Sequence, residues 1–121
     1  MSDPKTSDAR KEERKKIMAF TPVHDLDKNT LLGYIGDLTL KGALIIGEKP
    51  VEVNKQTTLA IDFPQTPEFP ARRVKILARI AWSKREPEVQ YYDTGVEFQE
   101  INEQNKTFLE AVLERYQYRH I

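Results

Sequence analysis

The sequence predicts an all-β domain, an antiparallel barrel or rolled sheet, followed by one C-terminal helix. Three observations carry this. Apolar and polar residues alternate in six short runs between residues 18 and 98. Turn-forming clusters, not helices, separate those runs. Only beyond Asn102 does the apolar spacing change to three and four.

Residues 1–16 hold almost nothing apolar and, with Pro4 and several Ser, Asp and Lys residues, read as a mobile basic arm. The folded unit is expected over residues 17–121. Its first strand is expected over Met18–Val23, its second over Leu31–Thr39 and its third over Ala43–Gly47. In Thr57–Phe63, Leu59, Ile61 and Phe63 share one face. A longer run places Val74, Ile76, Ala78, Ile80 and Trp82 on one face, with Lys75 and Arg79 outward. Gln90–Phe98 closes the series. The segments DLDKN, GEKP, PQTPEFP and KREPE supply the turns. Asn102 is the expected helix N-cap, with Glu103 in the first turn and Phe108, Leu109, Val112 and Tyr116 on one stripe.

A chain of 121 residues fits one domain that buries roughly two thirds of its unfolded surface. It has no cysteine, which excludes disulfides and thiolate metal sites. Its two histidines, His24 and His120, are far apart, and no metal-ligand spacing occurs; His24 reads as a strand or loop histidine. No run approaches the roughly 18 apolar residues of a membrane span, and the N-terminus lacks an apolar leader core, so a soluble cytoplasmic protein is expected.

A formal net charge of zero conceals segregation. Residues 71–85 carry six basic and no acidic residues, and residues 86–103 carry six acidic and no basic ones. ARKEERKK at 9–16 adds five basic residues against two acidic. Two readings fit equally well: neighbouring strands that carry complementary charge, and a local basic surface that attracts an anion.

The stretch GDLTLKGALI at 36–45 interrupts a strand-like run with Asp37, Thr39 and Gly42. Asp37 and Thr39 fall on one strand face. An ionised carboxylate offers only acceptors, which match the adjacent N–H donors of a guanine edge. A hydroxyl can reach a phosphate or fix the backbone, and a glycine permits close approach. Upstream, Arg10 and Arg14 are four residues apart, and arginine both forks phosphate oxygens and stacks on bases. Each piece has an ordinary reading: a solvated charge run, and a strand followed by a turn that Asp37 caps.

In this order and spacing, RKEER at 10–14 followed by DLTLKG at 37–42 resembles the PilZ domain family, with its RxxxR and D/N-x-S/A-x-x-G motifs. The resemblance extends from about Arg10 to Tyr116, through ARIAW at 78–82 and TGVEF at 94–98. Thr39 stands where the family usually has Ser or Ala, and Lys15 and Lys16 follow Arg14 before the first apolar residue. The resemblance implies a six-stranded antiparallel barrel with a terminal helix and non-catalytic binding of cyclic di-GMP. Carried over, Arg10 and Arg14 grip phosphates and guanine faces, with Lys11 and Lys15 as auxiliary charges. Asp37 takes a guanine edge, Thr39 supplies the hydroxyl and Gly42 sets the turn. Trp82 is either a core tryptophan or, at a barrel rim, a platform for a guanine. The implied output is contact with an unidentified protein partner in motility, adhesion or biofilm control, without membrane association.

The sequence leaves two alternatives. One is a PilZ-like interaction module that binds no nucleotide. The other is a small barrel holding single-stranded nucleic acid on Arg72, Arg73, Lys75 and Arg79, against which the adjacent acidic block argues. No nucleophile–base pair, metal set or Gly-rich phosphate loop points to an enzyme, and no cofactor is expected.

Overall fold

The computed structural model describes residues 16–17 and 21–117. In chain order these form β1 (Lys16–Ile17), β2 (Pro22–Asp25), β3 (Thr30–Leu38), β4 (Gly42–Gly47), β5 (Gln56–Phe63), β6 (Arg72–Arg85) and β7 (Tyr92–Glu100). A helix, α1 (Glu103–Arg115), and β8 (Tyr116–Gln117) follow. Strands β2 to β7 close into an antiparallel barrel in the order β2-β3-β4-β7-β6-β5. Four of its six seams are local hairpins, which sequence neighbours form readily. The other two, β4 with β7 and β2 with β5, are long-range and close the barrel. Closure leaves the barrel itself no free edge, and β1 and β8 pair as a separate two-stranded sheet.

Period-two alternation fills the interior. Val23, Ile45, Leu59, Ile61, Val74, Ile76 and Ile80 are each at most 1% exposed, and burying such a side chain stabilises by about 1.5–3 kcal/mol. The expected strand over Met18–Val23 is displaced: β2 runs to Asp25, and residues 18–20 lie outside the described residues. The turn begins later because the Asp25 carboxylate closes it, accepting the N–H groups of Asp27 and Lys28 and the Thr57 hydroxyl at 2.6 Å. The last barrel strand likewise starts at Tyr92 instead of Gln90, since Glu86 N–H bonds the Tyr91 carbonyl and holds 86–91 as a loop.

Asn102 caps α1 as expected, its side chain accepting the Asn105 N–H at 2.7 Å, a contact worth about 1 kcal/mol. Glu103 and Arg115 complement the helix dipole at either end. Leu109, Val112 and Tyr116 enter the core, and Phe108 packs edge-on against Phe63 with ring centroids 5.3 Å apart. Arg72 lies 4.9 Å over the Phe108 ring and bonds Asn105 at 2.9 Å. The helix is therefore stitched to the beginning of β6. No helix among the described residues is long and apolar enough to cross a membrane.

Candidate ligand-binding face

Two irregularities in the ladders set the outer wall of β3, β4, β7 and β6. The register shifts between Ile35 and Asp37 on β3, and between Ile80 and Trp82 on β6. A bulge inserts one residue and reverses which face later side chains occupy. Gly36 and Ala81 are the extra residues here. Beyond them Asp37 pairs with Leu44, Leu44 with Gly95, and Gly95 with Trp82. One row thus crosses four strands, about 14 Å along the sheet at ordinary strand spacing.

The second bulge corrects the alternation read for β6. Trp82 does not share the inward face of Ile76 and Ile80: Ile80 is 1% exposed and Trp82 is 45% exposed. Nor does Trp82 end the strand, which continues to Arg85, so the indole lies on the outer wall. It rests across Gly95, where an added Cβ would collide with Nε1 and Cε2 and stand 2.9 Å from Cζ2. Glycine at 95 is what lets the ring lie flat on the sheet.

Asp37, Thr39, Gly42, Trp82, Gly95 and Glu97 line a shallow, open concavity of about 330 Å³. Asp37 Oδ1 accepts the Leu38 N–H at 3.1 Å, and Oδ2 has no hydrogen bond among the described residues. The Thr39 hydroxyl accepts the N–H groups of Lys41 and Gly42 at 3.1 and 3.2 Å, while Thr39 N–H donates to the Gly42 carbonyl at 2.9 Å. The hydroxyl is therefore engaged by its own turn, whose shape it fixes. A Cβ on Gly42 would run into the Val96 carbonyl oxygen, so glycine there permits β4 to close on β7.

The basic block of β6 is divided among partners. Arg73 binds Asp62 through Nε at 2.7 Å and Nη2 at 3.0 Å. Its guanidinium holds the Asp62 carboxyl below the usual carboxylate range. Arg72 turns to α1, and Arg79 pairs with Glu97 at 3.0 Å. These arginines do not form one phosphate track. A larger groove of about 880 Å³ between the β2–β3 turn and the β4–β5 loop contains none of the motif residues. Among the described residues, no group of three or more His, Asp or Glu side chains could hold a metal.

A family model, the PilZ domain, matches residues 8–116. The chain belongs to the PilZ family. Among solved structures, this PilZ domain is similar to the inhibitor of motility MotI/DgrA from Bacillus subtilis, with a TM-score of 0.66 and 15% identity. That likeness covers 79% of this chain and 46% of the neighbour, so this PilZ domain spans less than half of that protein's length. No curated protein matches by sequence. The six-stranded antiparallel barrel with its C-terminal helix is the PilZ fold.

Of the residues singled out from sequence, Asp37, Thr39, Gly42 and Trp82 come together on one face of the PilZ barrel. Arg10, Arg14, Lys11 and Lys15 lie outside the described residues. Sequence reading missed Glu97 as a member of the face, and saw Gly95 only as part of TGVEF. The available signal was a glycine directly before an inward valine, on the strand that follows the tryptophan strand.

Proposed function

We propose that this PilZ domain is a non-catalytic receptor for cyclic di-GMP that relays the nucleotide's presence to a protein partner. The observation that supports it best is the convergence, in one concavity, of a carboxylate with an unengaged oxygen and an exposed indole across four strands. Asp37 takes the donor edge of a guanine, and Trp82 offers a stacking face. The concavity is too shallow to enclose a dinucleotide, so the ligand's outer side needs another cover. The RxxxR segment at 10–14 supplies that cover. Ordering such an arm costs about 1–2 kcal/mol per residue, which its charged contacts must offset. The altered surface then changes contact with a partner in motility, adhesion or biofilm control. The neighbour's description as an inhibitor of motility is consistent with that output.

Calorimetric titration with cyclic di-GMP tests this directly, with GTP and a short single-stranded DNA as controls. Saturable uptake of cyclic di-GMP alone is expected. Binding of DNA alone favours a nucleic-acid barrel, and silence in all three favours an interaction module.

The motif gives a finer test. Asp37→Ala is expected to weaken cyclic di-GMP at least about ten-fold, roughly 1.4 kcal/mol, with an unchanged melting temperature. Its only hydrogen bond among the described residues is to the adjacent N–H, so the fold loses little. Thr39→Ser keeps both turn bonds and should bind as the wild type does. Thr39→Val removes them and should cost about 1 kcal/mol of stability. Unfolding of Asp37→Ala would make the carboxylate a turn cap and end its role as a guanine reader.

A further inference from the structure

Glu97 and Arg79 face each other directly across β7 and β6. Both Arg79 Nε and Nη2 donate to one carboxylate oxygen of Glu97, Oε1, at 3.3 and 3.0 Å. The remaining guanidinium nitrogen, Nη1, donates to the Asn54 side chain at 2.8 Å. Asn54 is itself fixed, its N–H bonding the Ile80 carbonyl at 2.7 Å. The guanidinium is thus held on two sides, and it saturates Oε1. Oε2 makes no hydrogen bond among the described residues. Glu97 lines the same concavity as Asp37 and Trp82. It stands two residues beyond Gly95, the partner of Trp82, and so is diagonal to the indole at about 7–8 Å between Cα atoms.

We infer that Glu97 is a second base-reading residue of this face: its free oxygen accepts from the donor edge of the base stacked on Trp82, while Arg79 positions it and cancels its charge. The inference rests on the cyclic di-GMP reading above and adds the discrimination of the second base. A guanine in that stack presents the adjacent 1-imino and 2-amino N–H groups to the carboxylate. An adenine in the same register presents the lone pair of N1 and a C–H, which a carboxylate repels. A site built to accept a hydrogen bond rejects an analogue that cannot donate it. Without Arg79 the bare carboxylate would oppose an anionic ligand; with it the pair is neutral.

The test compares cyclic di-GMP with the mixed 3′,5′-linked cyclic guanosine–adenosine dinucleotide on the full chain. The mixed ligand still offers Asp37 its guanine, leaving only the second base different. Wild type should prefer cyclic di-GMP by about ten-fold or more, the scale of one charge-assisted hydrogen bond. In Glu97→Ala the preference should fall to within about two-fold, because the guanine loses its acceptor and the adenine loses the carboxylate that repels it. In Glu97→Gln the amide oxygen turns to Arg79 and the NH₂ to the base, so the preference should also disappear. Arg79→Ala should narrow it as well, which a merely structural ion pair would not do. The Glu97 side chain is 58% exposed, so neither Glu97 substitution should move the melting temperature. A wild type that binds both ligands equally, or a Glu97→Ala variant with the wild-type preference, overturns the inference and leaves the receptor reading intact. A wild type that takes up neither ligand overturns both.

Discussion

Replacing Arg14 with alanine is expected to abolish measurable cyclic di-GMP binding and leave the melting temperature of the domain unchanged. Arg14 belongs to a segment with almost nothing apolar, and the core among the described residues is built from Val23 onward. Two charge-assisted bonds to a phosphate are worth about 1.5–3 kcal/mol each, which together correspond to at least a hundred-fold in affinity. The barrel makes this dependence strong, because a shallow concavity of about 330 Å³ covers one side of a dinucleotide only. Arg14 also stands two residues before β1, which pairs in parallel with β8 directly after α1. The substitution leaves that pairing in place. Binding should also weaken as salt is raised, since an arm-to-phosphate contact at the surface is screened. Titration of Arg14→Ala with affinity within about two-fold of wild type would remove the arginine from the site.

The parts of this fold that were legible from sequence are those governed by local chemistry. Asn102 followed by Glu103 and a three–four apolar stripe can scarcely be anything but a helix start, and the cap is made as read. Leu59, Ile61 and Phe63 alternate without interruption and are all buried. What failed was phase. Nothing in Ile80-Ala81-Trp82 announces a bulge: it has no glycine and no turn residue, and its hydrophobic alternation continues unbroken. The shift is imposed by β7, where Gly95 leaves the space that the indole covers. It is therefore a property of two strands together. The same holds for the charges. Complementary charge on neighbouring strands was one of two readings of the basic and acidic blocks, and Arg79 with Glu97 obeys it. Arg73 instead finds Asp62 on β5, a partner outside the acidic block. The antiparallel barrel was expected and is the observed fold, but the two seams that close it were not legible, since β4 meets β7 and β2 meets β5 only once the hairpins have formed.

Trp82 is the single tryptophan of the chain, so its emission reports on the candidate face alone. Half-exposed on the outer wall, it should emit as a solvated indole before ligand is added, and saturating cyclic di-GMP should quench it by stacking. Trp82→Ala should cost about 1–3 kcal/mol of binding, the scale of one base–aromatic stack, with little change in folding stability. Gly95→Ala provides the decisive control, because it keeps the tryptophan and removes its seat. The new methyl would overlap the indole, and the exposed ring can yield more easily than the backbone of β7. The ring should lift from the sheet, leaving the variant folded, its emission altered and its affinity reduced to nearly the extent of Trp82→Ala. The two losses then share one cause, so the double variant should bind no worse than Trp82→Ala alone. Additive losses would mean that Gly95 acts on the ligand independently of the indole. Wild-type affinity in Gly95→Ala, with a displaced ring, would show that the nucleotide does not use the tryptophan face at all, and would confine recognition to the arginine arm and Asp37.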